Sequence, residues 1–339
     1  MAAQQIQSVL PRWRGFNLLE MFTVSSDGEF PEDDLRWIRD WGFDFIRIPA
    51  CYTLWIEDDD PFRISESGLE KVDRIIRLGQ KYGLHVSFNL HRGPGYSVNR
   101  ERDEPFNLWK DRDALDAFCL HWRTLAVRYR GIAASDLSFD LVNEPPPPGE
   151  GRPPLYPMTR DDHERVVRAA VATIHEADPE RLVVADGMGY GRIPAPELSD
   201  VDLAQSCRAY EPMGVSHYHA QWVNGMDWPY PQWPGGFHFG DSWGRADLEA
   251  HYEPWFELAR RGVGVHCGEA GAFNRTPHAV VLAWFEDVLE ILTPANIGYA
   301  LWNFRGPFGI LDSGRDDVDY EEWYGHRLDR EYLSLLQRY

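Results

Sequence analysis

Lysine is nearly missing from this 339-residue chain, present only at Lys71, Lys81 and Lys110, and a basic patch, a paired-cysteine motif and a long apolar run are missing with it. Each absence removes a class of function. With a formal net charge of −20 the chain offers no basic face to neutralise phosphates, so no nucleic-acid partner is expected. An acidic membrane surface would also repel it. No stretch approaches the roughly 20 apolar residues of a membrane span, so no membrane partner is expected either. The first fifteen residues lack the basic start and apolar core of a secretory signal. The sequence as it stands therefore reads as cytoplasmic, or as secreted if a signal was removed. Cys51, Cys119, Cys207 and Cys267 are widely spaced, with no C-x-x-C pair, which argues against a zinc clip and a disulfide framework. No G-x-G-x-x-G follows the first strand-like segment, and there is no H-E-x-x-H, so neither a dinucleotide nor a catalytic zinc has its local signature.

What the chain has is aromatics and alternation. Its 14 Trp, 15 Tyr and 17 Phe suit both a large core and the apolar faces of sugar rings. Short apolar runs predict eight strands, at 12–18, 44–49, 84–91, 137–144, 181–186, 214–220, 263–271 and 297–304. Helical periods lie between them over 31–41, 69–82, 114–129, 161–177, 247–261 and 278–292, with a weak one near 196–207 and a closing one over 330–338. Eight strands alternating with helices predict parallel βαβ units and an α/β fold, a single (β/α)8 TIM barrel over residues 1–339. The Pro-, Gly- and Trp-rich segment 220–244 reads as an enlarged loop after the sixth strand.

Polar residues placed where an apolar strand runs out lie at the C-terminal face of such a barrel, where barrel enzymes assemble their sites. Glu144 ends the fourth run ahead of Pro145 to Pro148, and Glu269 ends the seventh ahead of Ala270 and Gly271. Strands four and seven of a barrel face each other across its mouth, so the two carboxyl groups can meet despite their distance in sequence. Paired carboxylates are what glycosidic bond cleavage needs: one protonates the leaving oxygen, and the other attacks or activates water at the anomeric carbon.

These residues resemble glycoside hydrolase family 5, the cellulase, exo-glucanase and mannanase group of retaining barrels, along nearly the whole chain. The most specific element is Asn143-Glu144-Pro145 at the fourth strand, where the resemblance implies that Glu144 is the acid/base. Glu269 stands in the position of the family nucleophile. The resemblance further implies that Arg47 steadies the nucleophile, that His91 reaches the sugar at the cleavage point and that His217 lies near the acid/base. Asn143 would bind the 2-hydroxyl, and Trp302 would be the platform beneath the sugar before the cleaved bond. Glu20, after the first strand, is a weaker candidate for a sugar hydroxyl, and Trp55 for a subsite wall. The structural alternatives are an Arg47–Asp44 pair, a loop histidine at His91 and core positions for Trp302.

One element departs from the pattern. Family members carry His-x-Tyr on the sixth strand, with the tyrosine on the nucleophile, whereas this chain reads His217, Tyr218, His219. Strand alternation puts the two histidines on one face, so either His219 replaces the tyrosine or a bulge turns Tyr218 inward. The implied chemistry is a retaining double displacement on β-glucans or their oligosaccharides, most simply β-1,4-linked and cellulase-like, needing no metal and no cofactor. Exo-β-glucanase, β-glucosidase and β-mannanase activities are alternatives within the family. Outside it stand a metal hydrolase built on His217, His219, His238, His251 and His266, and a carbohydrate-binding barrel without catalysis. The sequence leaves linkage, endo or exo action and oligomeric state open.

Overall fold

The computed structural model describes residues 9–98, 104–149 and 157–339. The fold is a (β/α)8 TIM barrel. Its strands, numbered one to eight, are Arg14–Asn17, Phe45–Cys51, His85–Gly93, Leu137–Asp140, Leu182–Asp186, Ala204–Ala209, Val265–Ala270 and Tyr299–Leu301. No helix among the described residues is long and apolar enough to cross a membrane.

The chain divides into two compact units. Leu18–Cys207 carries strands two to five and most of strand six, paired in parallel in the order two, three, four, five, six. Strand two is buried along its whole length and strand three likewise, as parallel strands covered on both faces must be. The helices Glu66–Tyr82, Arg112–Arg128 and Arg160–Ala177 have the polar starts their sequences announce: Ser65 accepts from the Gly68 amide, and Thr159 forms a capping box with Asp162. Trp55, considered above for a subsite, is buried, and its indole N–H donates to His121 Nδ1 at 3.0 Å. It is a core residue.

The other unit, Met1–Asn17 with Arg208–Tyr339, carries strand one paired with strand eight and strand eight paired with strand seven. Its helices Arg245–Arg260, His278–Leu292 and Arg330–Arg338 lie within about two residues of the periods read from sequence. The stretch 220–244 is an ordered loop, with two short 3-10 turns and a hairpin of Gly236–His238 against Asp241–Trp243.

The sixth strand corrects the sequence reading. It is Ala204–Ala209, within and just beyond the segment expected to be a weak helix, and not 214–220. Its residues, AQSCRA, have little of the β-branched and aromatic character that marks a strand. They are all buried nonetheless, because the polar ones have partners: the Gln205 amide takes the backbone N–H and C=O of Ala195 at 2.9 and 2.8 Å. The 214–220 segment only imitates strand alternation. Met213–Ser216 is a helical turn, and His219 has a φ of +58°.

Candidate active site

In the unit Leu18–Cys207 a buried guanidinium ties several strand ends together. Arg47, on strand two, donates from Nε to Asp140 Oδ2 at 2.6 Å and from a terminal nitrogen to Asn143 Oδ1 at 2.9 Å. Its terminal nitrogen is 3.8 Å from Asp186 Oδ2, on strand five. Buried charges persist only where partners repay desolvation, and here one cation meets two carboxylates and an amide. Asn143 is thereby fixed, and its amide nitrogen lies 3.4 Å from His91 Nε2 on strand three. His91 meets the ring of Phe22 edge-on at 4.7 Å. The structure thus gathers Arg47, His91 and Asn143 in one buried network.

Glu144 is not on strand four, which ends at Asp140. The chain runs on between its neighbours, with the Leu141 amide on Val184 O and the Asn143 amide on Leu90 O, and then reverses at Glu144 with a φ of +50°. A non-glycine residue there costs about 1–3 kcal/mol and persists only where its surroundings enforce it. Enforcement is visible on both sides of the residue: its N–H donates to Asp186 Oδ2 at 2.9 Å, and its C=O accepts from the Tyr96 hydroxyl at 2.6 Å. The next turn is fixed too, since the Tyr190 and Gly189 amides donate to the Pro145 and Pro146 carbonyls at 3.0 and 3.2 Å. Tyr190 itself has a φ of +64°. Burial pushes its phenol above the ordinary value, opposed by Arg192 and reinforced by the negative charge of Glu144. Adjacent residues on a regular strand point oppositely, and Glu144 escapes that constraint on Asn143 and itself because it lies past the strand. Glu20 is also off its strand, half-buried in a turn, with its carbonyl accepting from Lys71 Nζ at 2.9 Å.

In the other unit the candidate carboxylate is Glu269, buried on strand seven. Between Cys267 and Ala270 that strand spends three residues where strand eight spends two, Tyr299 to Leu301, which is a β-bulge. A bulge re-aims the side chain within it. The Tyr210 hydroxyl donates to Glu269 Oε2 at 3.0 Å, and an Arg208 terminal nitrogen lies 3.3 Å from Oε1. The phenol on this carboxylate therefore comes from Tyr210, the residue after the true sixth strand, and not from the 217–219 segment. Gly271 follows with a φ of +112°, and an added Cβ would lie 3.3 Å from the Leu301 side chain, so glycine is required there by backbone and packing.

His217 closes the helical turn after strand six, 2.8 Å from Ser216 Oγ, and sits edge-on to the Tyr210 ring at 4.9 Å. His219 stacks on Tyr218 at 4.0 Å. Trp302 is half-buried and packs against a cluster of Tyr210, Met213 and Phe308. The five histidines weighed as metal ligands form no such group: among the described residues no three His, Cys, Asp or Glu side chains are arranged to hold an ion. Sequence reasoning missed Asp186, Arg208, Tyr210 and Tyr96. The signal for two of them was present as Arg208-Ala209-Tyr210, a variant of His-x-Tyr just beyond the segment read as a weak helix.

The comparisons define the class as glycoside hydrolase. The cellulase model, glycosyl hydrolase family 5, matches residues 7–306, and the chain belongs to that family. Endoglucanase C of Acetivibrio thermocellus is 24% identical over 86% of this chain and 88% of its own length. Cellodextrinase A of Ruminococcus flavefaciens is 24% identical over 80% of this chain and 77% of its own. A crystal structure of a glycoside hydrolase shares 39% identity and a TM-score of 0.91 over 96% of this chain and 99% of that one. Cel5A of Thermotoga maritima, solved with mannotriose, has the same fold at 20% identity and a TM-score of 0.76, over 96% and 97% of the two chains.

Proposed function

We propose that the protein hydrolyses β-1,4-glucan or its oligosaccharides with retention of anomeric configuration, Glu269 acting as nucleophile and Glu144 as acid/base. The observation that carries this is the state of Glu269. A nucleophilic carboxylate must be ionised, fixed and aimed, and Glu269 sits on a bulge with a guanidinium and a phenol on its two oxygens. Glu144 is half-buried and held by its backbone, which fixes the place from which its carboxyl would give up and regain a proton. The names of the relatives, endoglucanase and cellodextrinase, support a β-glucan substrate.

In the first step Glu269 attacks the anomeric carbon, the glycosidic bond breaks, and Glu144 protonates the departing oxygen. In the second, Glu144 removes a proton from water, which displaces Glu269 and frees the sugar. Asn143, fixed by Arg47, would hold the 2-hydroxyl, a bond that strengthens as positive charge grows on the ring. His91 and His217 would line the cleavage point, and Trp302 would lie under the sugar. Glu20 and His219 keep weaker claims on sugar hydroxyls.

Two variants test the roles. Glu269→Ala should scarcely react even with a dinitrophenyl β-cellobioside, because no glycosyl-enzyme can form. Glu144→Ala should still expel dinitrophenolate, which needs no proton, and added azide should then yield the β-glycosyl azide. An α-azide from Glu269→Ala, with no rescue of Glu144→Ala, would reverse the two roles. Products from a panel of β-glucans and β-mannans fix the substrate; a preference for mannan would overturn the glucan assignment.

A further inference from the structure

Asp186 ends strand five with its side chain wholly buried, and it is not a residue that strand propensity or core packing would select. Two of its contacts bear on the neighbouring turn. One is the 3.8 Å approach of Arg47, and the other is the 2.9 Å hydrogen bond from the backbone N–H of Glu144. The second is the telling one, because Glu144 has a φ of +50°, which a regular strand would not impose. A carboxylate accepting that N–H makes a charge-assisted bond, roughly twice as strong as a neutral one. The Tyr96 hydroxyl grips the carbonyl of the same residue, so Glu144 is held at both ends of its own peptide frame.

We propose that Asp186 is a positioning residue for Glu144: it holds the reversed backbone from which the acid/base presents its carboxyl, and it does so without touching substrate. This rests on the reading of Glu144 as acid/base. If Asp186 works through Glu144 alone, its loss must hurt only the steps in which Glu144 moves a proton. Attack by Glu269 on a substrate whose leaving group needs no proton is untouched.

The test is the dependence on leaving group in kcat/KM, which reports the first step. Asp186→Ala should lower kcat/KM about 10- to 100-fold on a phenyl or alkyl β-cellobioside, as a displaced general acid does, and leave the dinitrophenyl substrate within about threefold of the parent. Asp186→Asn preserves shape but offers only a neutral acceptor. It should show the same selectivity in smaller measure, and it carries the test if the alanine variant does not fold. A merely structural role would lower both substrates together, so equal losses in the soluble variant, or no loss on either substrate, overturn the proposal. Glu144→Ala is measured alongside. If it too loses both substrates equally, the acid/base reading has failed; if it shows the selectivity and the Asp186 variants do not, only the role of Asp186 has failed.

Discussion

Glu269 is gripped at its side chain, Glu144 at its backbone. Glu269 stays within its strand, buried, with a bulge to aim it and donors on its side-chain oxygens. Glu144 lies four residues beyond the end of its strand, half-buried, with its backbone held on both sides. The difference matches two chemical demands. A nucleophile works in one protonation state and gains from donors that keep it charged. An acid/base must pass through both states in every turnover, and bonds to its backbone place it without acting on its proton directly.

The comparison breaks most visibly at Arg208. Arg208→Gln removes a buried cation from a buried carboxylate, a loss of the kind that costs about 3–5 kcal/mol, so kcat/KM should fall about 10²–10³-fold on every substrate, activated or not. Arg208→Lys, which keeps the cation, should restore part of that loss. Near-parental kcat/KM in Arg208→Gln, or an equal loss in both variants, would mean that Arg208 only packs.

Two tyrosine variants sharpen it further. Tyr210→Phe removes the phenol from Glu269 and should cost about 10- to 100-fold, the worth of a hydrogen bond to a charged group, equally for good and poor leaving groups. Tyr96→Phe frees the Glu144 carbonyl and should cost less, roughly tenfold, and only where the leaving group needs a proton. Identical substrate profiles for the two variants would erase the distinction between holding a side chain and holding a backbone.

Periodicity carried most of the fold, because seven strands and the long helices are apolar where they face the core. Strand six failed for a physical reason: AQSCRA buries polar groups against specific partners, and no propensity scale anticipates Gln205 bonded to Ala195. That error hid Arg208 and Tyr210 and sent the search for a tyrosine to 217–219. Glu144, Glu269, Arg47 and Asn143 were legible as residues, whereas the buried bonds of Arg47 to Asp140 and Asn143 were not. The turn at Glu144 was not legible, since its left-handed backbone is imposed by Asp186 and Tyr96 from elsewhere in the chain.

The smallest effect per group concerns acid stability, and it separates the surroundings of the two glutamates once more. Within the unit that carries Glu144, burial pushes His85, His121 and His163 down from 6.5 to about 4. In the folded chain these rings stay neutral until the pH approaches 4, whereas in the unfolded chain they take up protons below about 6.5. The unfolded state therefore binds more protons between those limits, and stability falls as pH drops through that window, by about 1 kcal/mol for each ring at pH 5.5. His121 is the ring to change. It accepts from the Trp55 indole at 3.0 Å through Nδ1 and donates to the Pro61 carbonyl at 2.8 Å through Nε2, and a glutamine offers one acceptor and one donor without titrating. In His121→Gln the loss in Tm between pH 7.5 and 5.5 should be smaller than in the parent by about 1–2 °C. Hydrogen exchange at the lower pH, corrected for intrinsic rates, should then show less opening of the helix Arg112–Arg128 than in the parent. An unchanged pH dependence in this variant would mean that acid does not enter through His121.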